Sequence, residues 1–74
     1  MDLRIIKARH SVAHWTCLET YVQSKIENDN QRNPRPEIRL AKNARKLRYI
    51  QGMKENAIRR LQTLQTEIES EDEA

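Results

Sequence analysis

The segment Asn30-Gln31-Arg32-Asn33-Pro34-Arg35-Pro36 holds both prolines of the chain and separates two stretches of helical spacing. Proline lacks a backbone N–H and steers the residue before it out of the helical region, so this pair ends one helix and opens another. Pro36 followed by Glu37 suits a helix start, because the missing N–H would be orphaned there and the carboxylate faces the positive end of the helix dipole. No strand-like alternation and no internal repeat occurs on either side. The sequence therefore predicts an all-α fold: helix 1 over about 2–29, a connection over about 30–35 and helix 2 over about 36–68. These form one hairpin domain over 1–66, followed by an acidic tail over 67–74.

Outward from the break, helix 2 carries a heptad seam. Leu40, Leu47, Lys54, Leu61 and Ile68 take position a, and Asn43, Ile50, Ala57 and Leu64 take position d. Asn43 and Lys54 are its polar interruptions, a kind of residue that can fix register at a cost in stability. Gly52 costs about 1 kcal/mol relative to Ala in a helix interior but lies away from the seam, so the helix is expected to continue through it. Helix 1 has a matching stripe, Ile5, Ala8, Val12, Trp15, Val22 and Ile26, with Glu19 as its polar member. A second stripe, Leu3, Ile6, His10, Ala13, Cys17 and Tyr21, runs along nearly the opposite side. One partner helix cannot cover both faces. The expectation is a two-helix antiparallel hairpin that pairs with a second copy as a homodimeric four-helix bundle, with Leu3, Ile6, His10, Cys17 and Tyr21 at the dimer or partner interface.

Charge is strongly segregated. The chain has 14 Lys and Arg against 11 Asp and Glu, a net +3, but five of the acids (Glu67, Glu69, Glu71, Asp72, Glu73) lie in the last eight residues. Residues 1–66 thus hold 14 cations and six acids, a net +8. Arg32, Arg35, Arg39, Lys42, Arg45, Lys46 and Arg48 crowd around the break and the start of helix 2, and Arg59 and Arg60 follow further along. Arg39, Lys46 and Arg60 share heptad position g, Arg45 and Arg59 share f, and Lys42 is at c. With a rise of about 1.5 Å per residue, Arg39 to Arg60 covers roughly 30 Å, close to one turn of a nucleic-acid duplex. A one-signed surface of that length fits a phosphate backbone, and these nine cations are the nucleic-acid-binding candidates. The plainer alternative is a solvated face that only keeps the protein soluble.

The run Arg39-Leu40-Ala41-Lys42-Asn43-Ala44-Arg45-Lys46-Leu47-Arg48 resembles the basic helix of the influenza non-structural protein's double-stranded-RNA-binding domain, where cations alternate with leucines at similar spacing. Two-helix viral silencing suppressors of the nodavirus type are similar in architecture. The resemblance spans this run alone, and it implies a symmetric helical dimer gripping A-form duplex through phosphates and 2′-hydroxyls. It implies Arg39, Lys42 and Arg45 as contacts.

Other chemistries find little support. With 36% hydrophobic and 4% aromatic residues in 74, an enclosed substrate pocket is not expected, and no enzyme activity or cofactor is predicted. His10, His14 and Cys17 follow at i, i+4 and i+7, which suits zinc, but a structural site takes four ligands and no further His or Cys exists. Cys17 has no orienting acid or oxyanion donor that would make it a nucleophile. A lone Cys and the lack of a signal-like apolar run predict a reducing intracellular compartment, the cytoplasm, and no apolar stretch approaches the ~20 residues of a membrane span. The sequence thus points to a small basic helical nucleic-acid-binding protein, duplex or structured RNA ahead of DNA, free or as a ribosome component. The rival is a protein-binding regulator or inhibitor, a viral or phage-type adaptor, that docks its two-faced helix 1 or basic helix 2 on a larger acidic protein.

Overall fold

In a computed structural model the chain forms two helices packed as a hairpin, α1 over Leu3–Asn30 and α2 over Glu37–Glu73. The structure describes residues 2–73; the side chains of Asp72 and Glu73, and Ala74, all in the acidic tail, lie outside the described part. No helix is long and apolar enough to cross a membrane among the described residues.

Each boundary has a local cause. Asp2 caps α1, its Oδ1 accepting from the Arg4 backbone N–H at 2.8 Å, and the same carboxylate holds the Arg4 guanidinium at 3.0 Å. Those bonds keep the Asp2 carboxyl below its ordinary value. At the far end α1 tightens, with Gln31 N–H donating to Asn28 O and Arg32 N–H to Asp29 O, both at 3.2 Å. The Pro36 carbonyl then accepts the first bond of α2, from Leu40 N–H at 2.9 Å, and Glu37 stands in the first turn. Inside α1, the hydroxyls of Thr16 and Thr20 bond back to the Val12 and Thr16 carbonyls at 2.8 and 3.1 Å, which satisfies side chains that otherwise compete with helix.

α2 is unbroken at Gly52, as its spacing predicts, and it continues past Ile68 to Glu73. Gly52 is exposed, and a Cβ there would meet nothing within 4 Å, so this glycine serves no close approach.

The two seams meet as their periodicity requires. Leu40, Ile50 and Ala57 of α2 are buried against Ala8 and Val22 of α1, and every remaining a and d residue from Asn43 to Ile68 is at least half-buried. The polar seam residues pair with each other: Lys54 Nζ donates to Glu19 Oε1 at 3.0 Å, with 28% and 17% of the two side chains exposed. The α1 stripe extends one step further than its apolar members. Asp29, three residues after Ile26, is buried and takes the fork of Arg39, Nε to Oδ2 at 2.8 Å and Nη2 to Oδ1 at 2.7 Å. Arg39 hydrogen bonding, and the charges of Arg39, Arg32 and Lys25, hold the Asp29 carboxyl below its ordinary 3.8 despite burial. This pair closes the hairpin beside the connection.

The result is a rod of 62 × 17 × 12 Å with a radius of gyration of 17.3 Å. A compact domain of this length would have about 11 Å. Its accessible area of 5965 Å² likewise exceeds the roughly 4800 Å² of a compact monomer of equal mass. One layer of seam residues is the whole core. The second stripe of α1 stays outside it: Leu3 is 62% and Tyr21 57% exposed, His10, Ala13 and Cys17 are exposed, and Ile6 is half-buried.

Candidate nucleic-acid interface

An antiparallel pair of heptad helices brings the g positions of both onto one flank and the e positions onto the other. On α1, with Ile5 at a and Ala8 at d, position g falls on Arg4, Ser11, Leu18, Lys25 and, beyond the helix end, Arg32. On α2 it falls on Arg39, Lys46, Met53, Arg60 and Glu67. The structure brings six of these residues, Arg4, Ser11, Lys25, Arg32, Arg39 and Arg60, into two concavities on that flank. One, of about 280 Å³, is lined by Lys25, Asn28, Asp29, Arg32, Arg39 and Asn43 near the connection. The other, of about 270 Å³, has Arg4, Lys7, Ser11 and Arg60 as its polar lining. The opposite flank carries Thr16, Gln23, Ala44, Gln51, Ile58 and Gln65, with Arg9 its one cation at an e position. The hairpin is therefore cationic along one side.

The nine cations expected to bind nucleic acid do not act alike. Arg39 is committed to Asp29, and Arg32 Nε approaches the same carboxylate at 3.6 Å while staying 63% exposed. Arg35 donates to Asn30 Oδ1 at 2.7 Å and lies 3.8 Å from Glu37, so it braces the connection. Arg59 lies 4.0 Å from Glu55 on the exposed outer surface. Lys42, Arg45, Lys46, Arg48 and Arg60 are exposed and make no ion pair among the described residues. Of these, Lys46 and Arg60 stand on the cationic flank with Lys42 beside them at c, Arg45 points outward at f, and Arg48 at b turns toward the neutral side.

Sequence reasoning passed over α1 as a source of cations, yet Lys25 and Lys7 join this flank. Their signal was their register against the α1 seam. Lys25 Nζ sits 4.6 Å from the Tyr21 ring centroid. Lys25, by hydrogen bonding and by charge, and Lys46 from across the seam hold the Tyr21 hydroxyl below its ordinary 10.0. Tyr49, 63% exposed, is steadied edge-on by Trp15 with centroids 6.2 Å apart, and Trp15 in turn meets His14 at 5.2 Å. Two exposed tyrosines thus flank Lys46. Among the described residues no three His, Cys, Asp or Glu side chains are grouped so as to hold a metal ion, at His10, His14 and Cys17 or elsewhere.

Charge is also uneven along the rod. The half nearer the connection, residues 17–59, holds ten cations and five acids, whereas the open end holds four cations and six acids. Glu71 answers Arg4 there at 3.1 Å, and hydrogen bonding to Asp2 and then to Glu71 raises the Arg4 guanidinium above its ordinary value. This architecture defines an antiparallel α-hairpin with one cationic flank. The chain matches no family model, no curated protein and no solved structure.

Proposed function

We propose that the hairpin binds the sugar-phosphate backbone of a nucleic-acid duplex, RNA ahead of DNA, without catalysing a reaction. The observation that carries this reading is the segregation of charge: Lys42, Lys46 and Arg60 are exposed without an acid partner on the flank that Lys25, Arg32 and Lys7 complete. Backbone tracking needs no base-edge contact, and a rod of 62 Å offers length rather than a pocket. Pairing with a second copy through the exposed back of α1, at Leu3, His10, Cys17 and Tyr21, belongs to the same proposal, because a single hairpin leaves that face in water.

The test compares two sets of variants that leave every ion pair intact. Lys25→Ala, Lys42→Ala and Lys46→Ala together remove three cations of the flank, whereas Arg9→Ala with Arg48→Ala removes two cations facing the other side. The first set should abolish about three units of the salt slope of duplex binding, since each phosphate contact contributes about 0.9 to the slope of log affinity against log salt. The second set should leave binding nearly unchanged. Equal losses from both sets would reduce the interaction to net charge and remove the flank assignment.

The second reading is a protein-binding regulator, favoured by one observation, the exposure of Leu3 and Tyr21. A folded monomer that shows no affinity for any nucleic acid would favour it.

A further inference from the structure

We infer that the concavity at the closed end of the hairpin is a site for a phosphate monoester in its dianionic form. This rests on the flank identified above but makes a separate claim, about one ligand group and one end of the molecule.

Six residues line the concavity, and both helices contribute: Lys25, Asn28, Asp29 and Arg32 from α1 and the connection, Arg39 and Asn43 from α2. Three are cations and one is an acid, which leaves two positive charges in excess. The acid does not oppose an anion there, because Asp29 is buried and both its oxygens accept from Arg39. Arg39 is thereby fixed in orientation. Its Nη1 makes no hydrogen bond among the described residues, and the exposed Arg32 guanidinium is held only loosely, 3.6 Å from Asp29. Lys25 also lines the concavity, its Nζ 4.6 Å from the Tyr21 ring centroid, and the carboxamides of Asn28 and Asn43 add neutral donors.

Two excess charges match a dianion better than the single charge of a phosphodiester, and guanidinium groups engage phosphate oxygens as geometric pairs. The concavity lies on the cationic flank beside the connection, and the charge match selects a phosphate monoester, which in a nucleic acid occurs only at a chain end. In a nucleic acid that group is a terminal phosphate, and free inorganic phosphate presents the same chemistry.

The test is a two-dimensional amide NMR titration of the full chain with inorganic phosphate at constant ionic strength, at about pH 7.5 and about pH 5.5, on either side of the second phosphate ionisation. The Asp29 carboxyl is held below its ordinary value and the Arg39 guanidinium above its own, and no histidine lines the concavity, so a change between the two reports on the ligand. Saturable shifts confined to residues 25–32 and 39–43, weaker at the lower pH, are expected. Lys25→Gln and Arg32→Gln, which spare the Arg39 to Asp29 fork, should each weaken binding about tenfold while helix content is unchanged. Shifts that spread over all cationic positions, or that survive both substitutions, would overturn the site.

A duplex RNA carrying a 5′-phosphate should bind more tightly than the same duplex with a 5′-hydroxyl. Equal affinity of the two, with free phosphate still bound, would assign the site to small phosphates instead of nucleic-acid ends and overturn its link to the flank. Duplex binding without any phosphate effect would sink this inference and leave the proposed function standing; localised phosphate binding without duplex binding would do the reverse.

Discussion

Replacing Glu19 and Lys54, singly and together, tests how the hairpin sets its register. Their side chains meet at 3.0 Å with 17% and 28% exposure, the one polar crossing in an otherwise apolar stretch of seam. Glu19→Leu strands the Lys54 ammonium among Ile50, Ala57 and Leu61, and Lys54→Leu strands the carboxylate beside Trp15 and Val22. Leaving one charge of a half-buried pair without its partner costs about 2 kcal/mol. In a domain of this size each kcal/mol lowers the melting temperature by roughly 4–8 °C, so either single variant should melt about 10 °C or more below the wild type. The total stability of a 74-residue chain is about 4–11 kcal/mol, so both should still fold. The double variant restores an unbroken apolar seam, and replacing such a pair by apolar residues is commonly neutral or stabilising by about 1–4 kcal/mol. It should therefore melt at or above the wild type, a coupling of several kcal/mol between two residues 35 apart in sequence. Urea unfolding followed by circular dichroism at fixed protein concentration measures all four corners of the cycle. Additive effects, with the double variant the least stable, would refute the pairing and with it the observed register.

Three further outcomes follow from burial and local geometry. Gly52→Ala should stabilise the protein by about 0.5–1 kcal/mol in urea unfolding, since the helix gains propensity and the new Cβ meets nothing within 4 Å. Ile50→Val, at 3% exposure, should cost about 1 kcal/mol, while Ile38→Thr, at 88% exposure, should change stability by less than about 0.5 kcal/mol. Asp29→Asn removes a carboxylate whose folded-state pKa lies below the ordinary 3.8, so the stability that ionised Asp29 contributes is full above that value and is lost as the pH falls through the folded pKa. The wild type should accordingly exceed the variant in melting temperature at neutral pH, with the gap shrinking below about pH 4; a gap that widened on acidification would contradict the Arg39 contact.

Much of this fold is visible in the sequence because a heptad seam is a local pattern. Leu40, Leu47, Ile50, Ala57, Leu61 and Leu64 announce their shared face by spacing alone, and the double proline marks where the chain reverses. Long-range polar pairing is not visible in the same way. Lys54 reads as a defect in α2 and Glu19 as a defect in α1 until the register places them together. Asp29 reads as a helix-end residue, although it continues the three-and-four alternation of Ile5 to Ile26. Arg39 in turn reads as a free cation, and only its contact with Asp29 separates it from Lys42 and Lys46. The contribution of Lys25 to the cationic flank depends on which side of α1 faces α2, a three-dimensional relation that composition cannot express. The exposed back of α1 is legible as a second stripe, but its occupant is not encoded within one hairpin.

The most direct measurement is a fluorescence-anisotropy titration of the whole chain against matched double-stranded RNA, double-stranded DNA and single strands, at two salt concentrations. Duplex binding that prefers RNA and weakens steeply with salt is the result expected of a cationic flank that follows phosphates. Absence of binding to every one of these nucleic acids near physiological salt would contradict it and assign the same flank to an acidic protein partner.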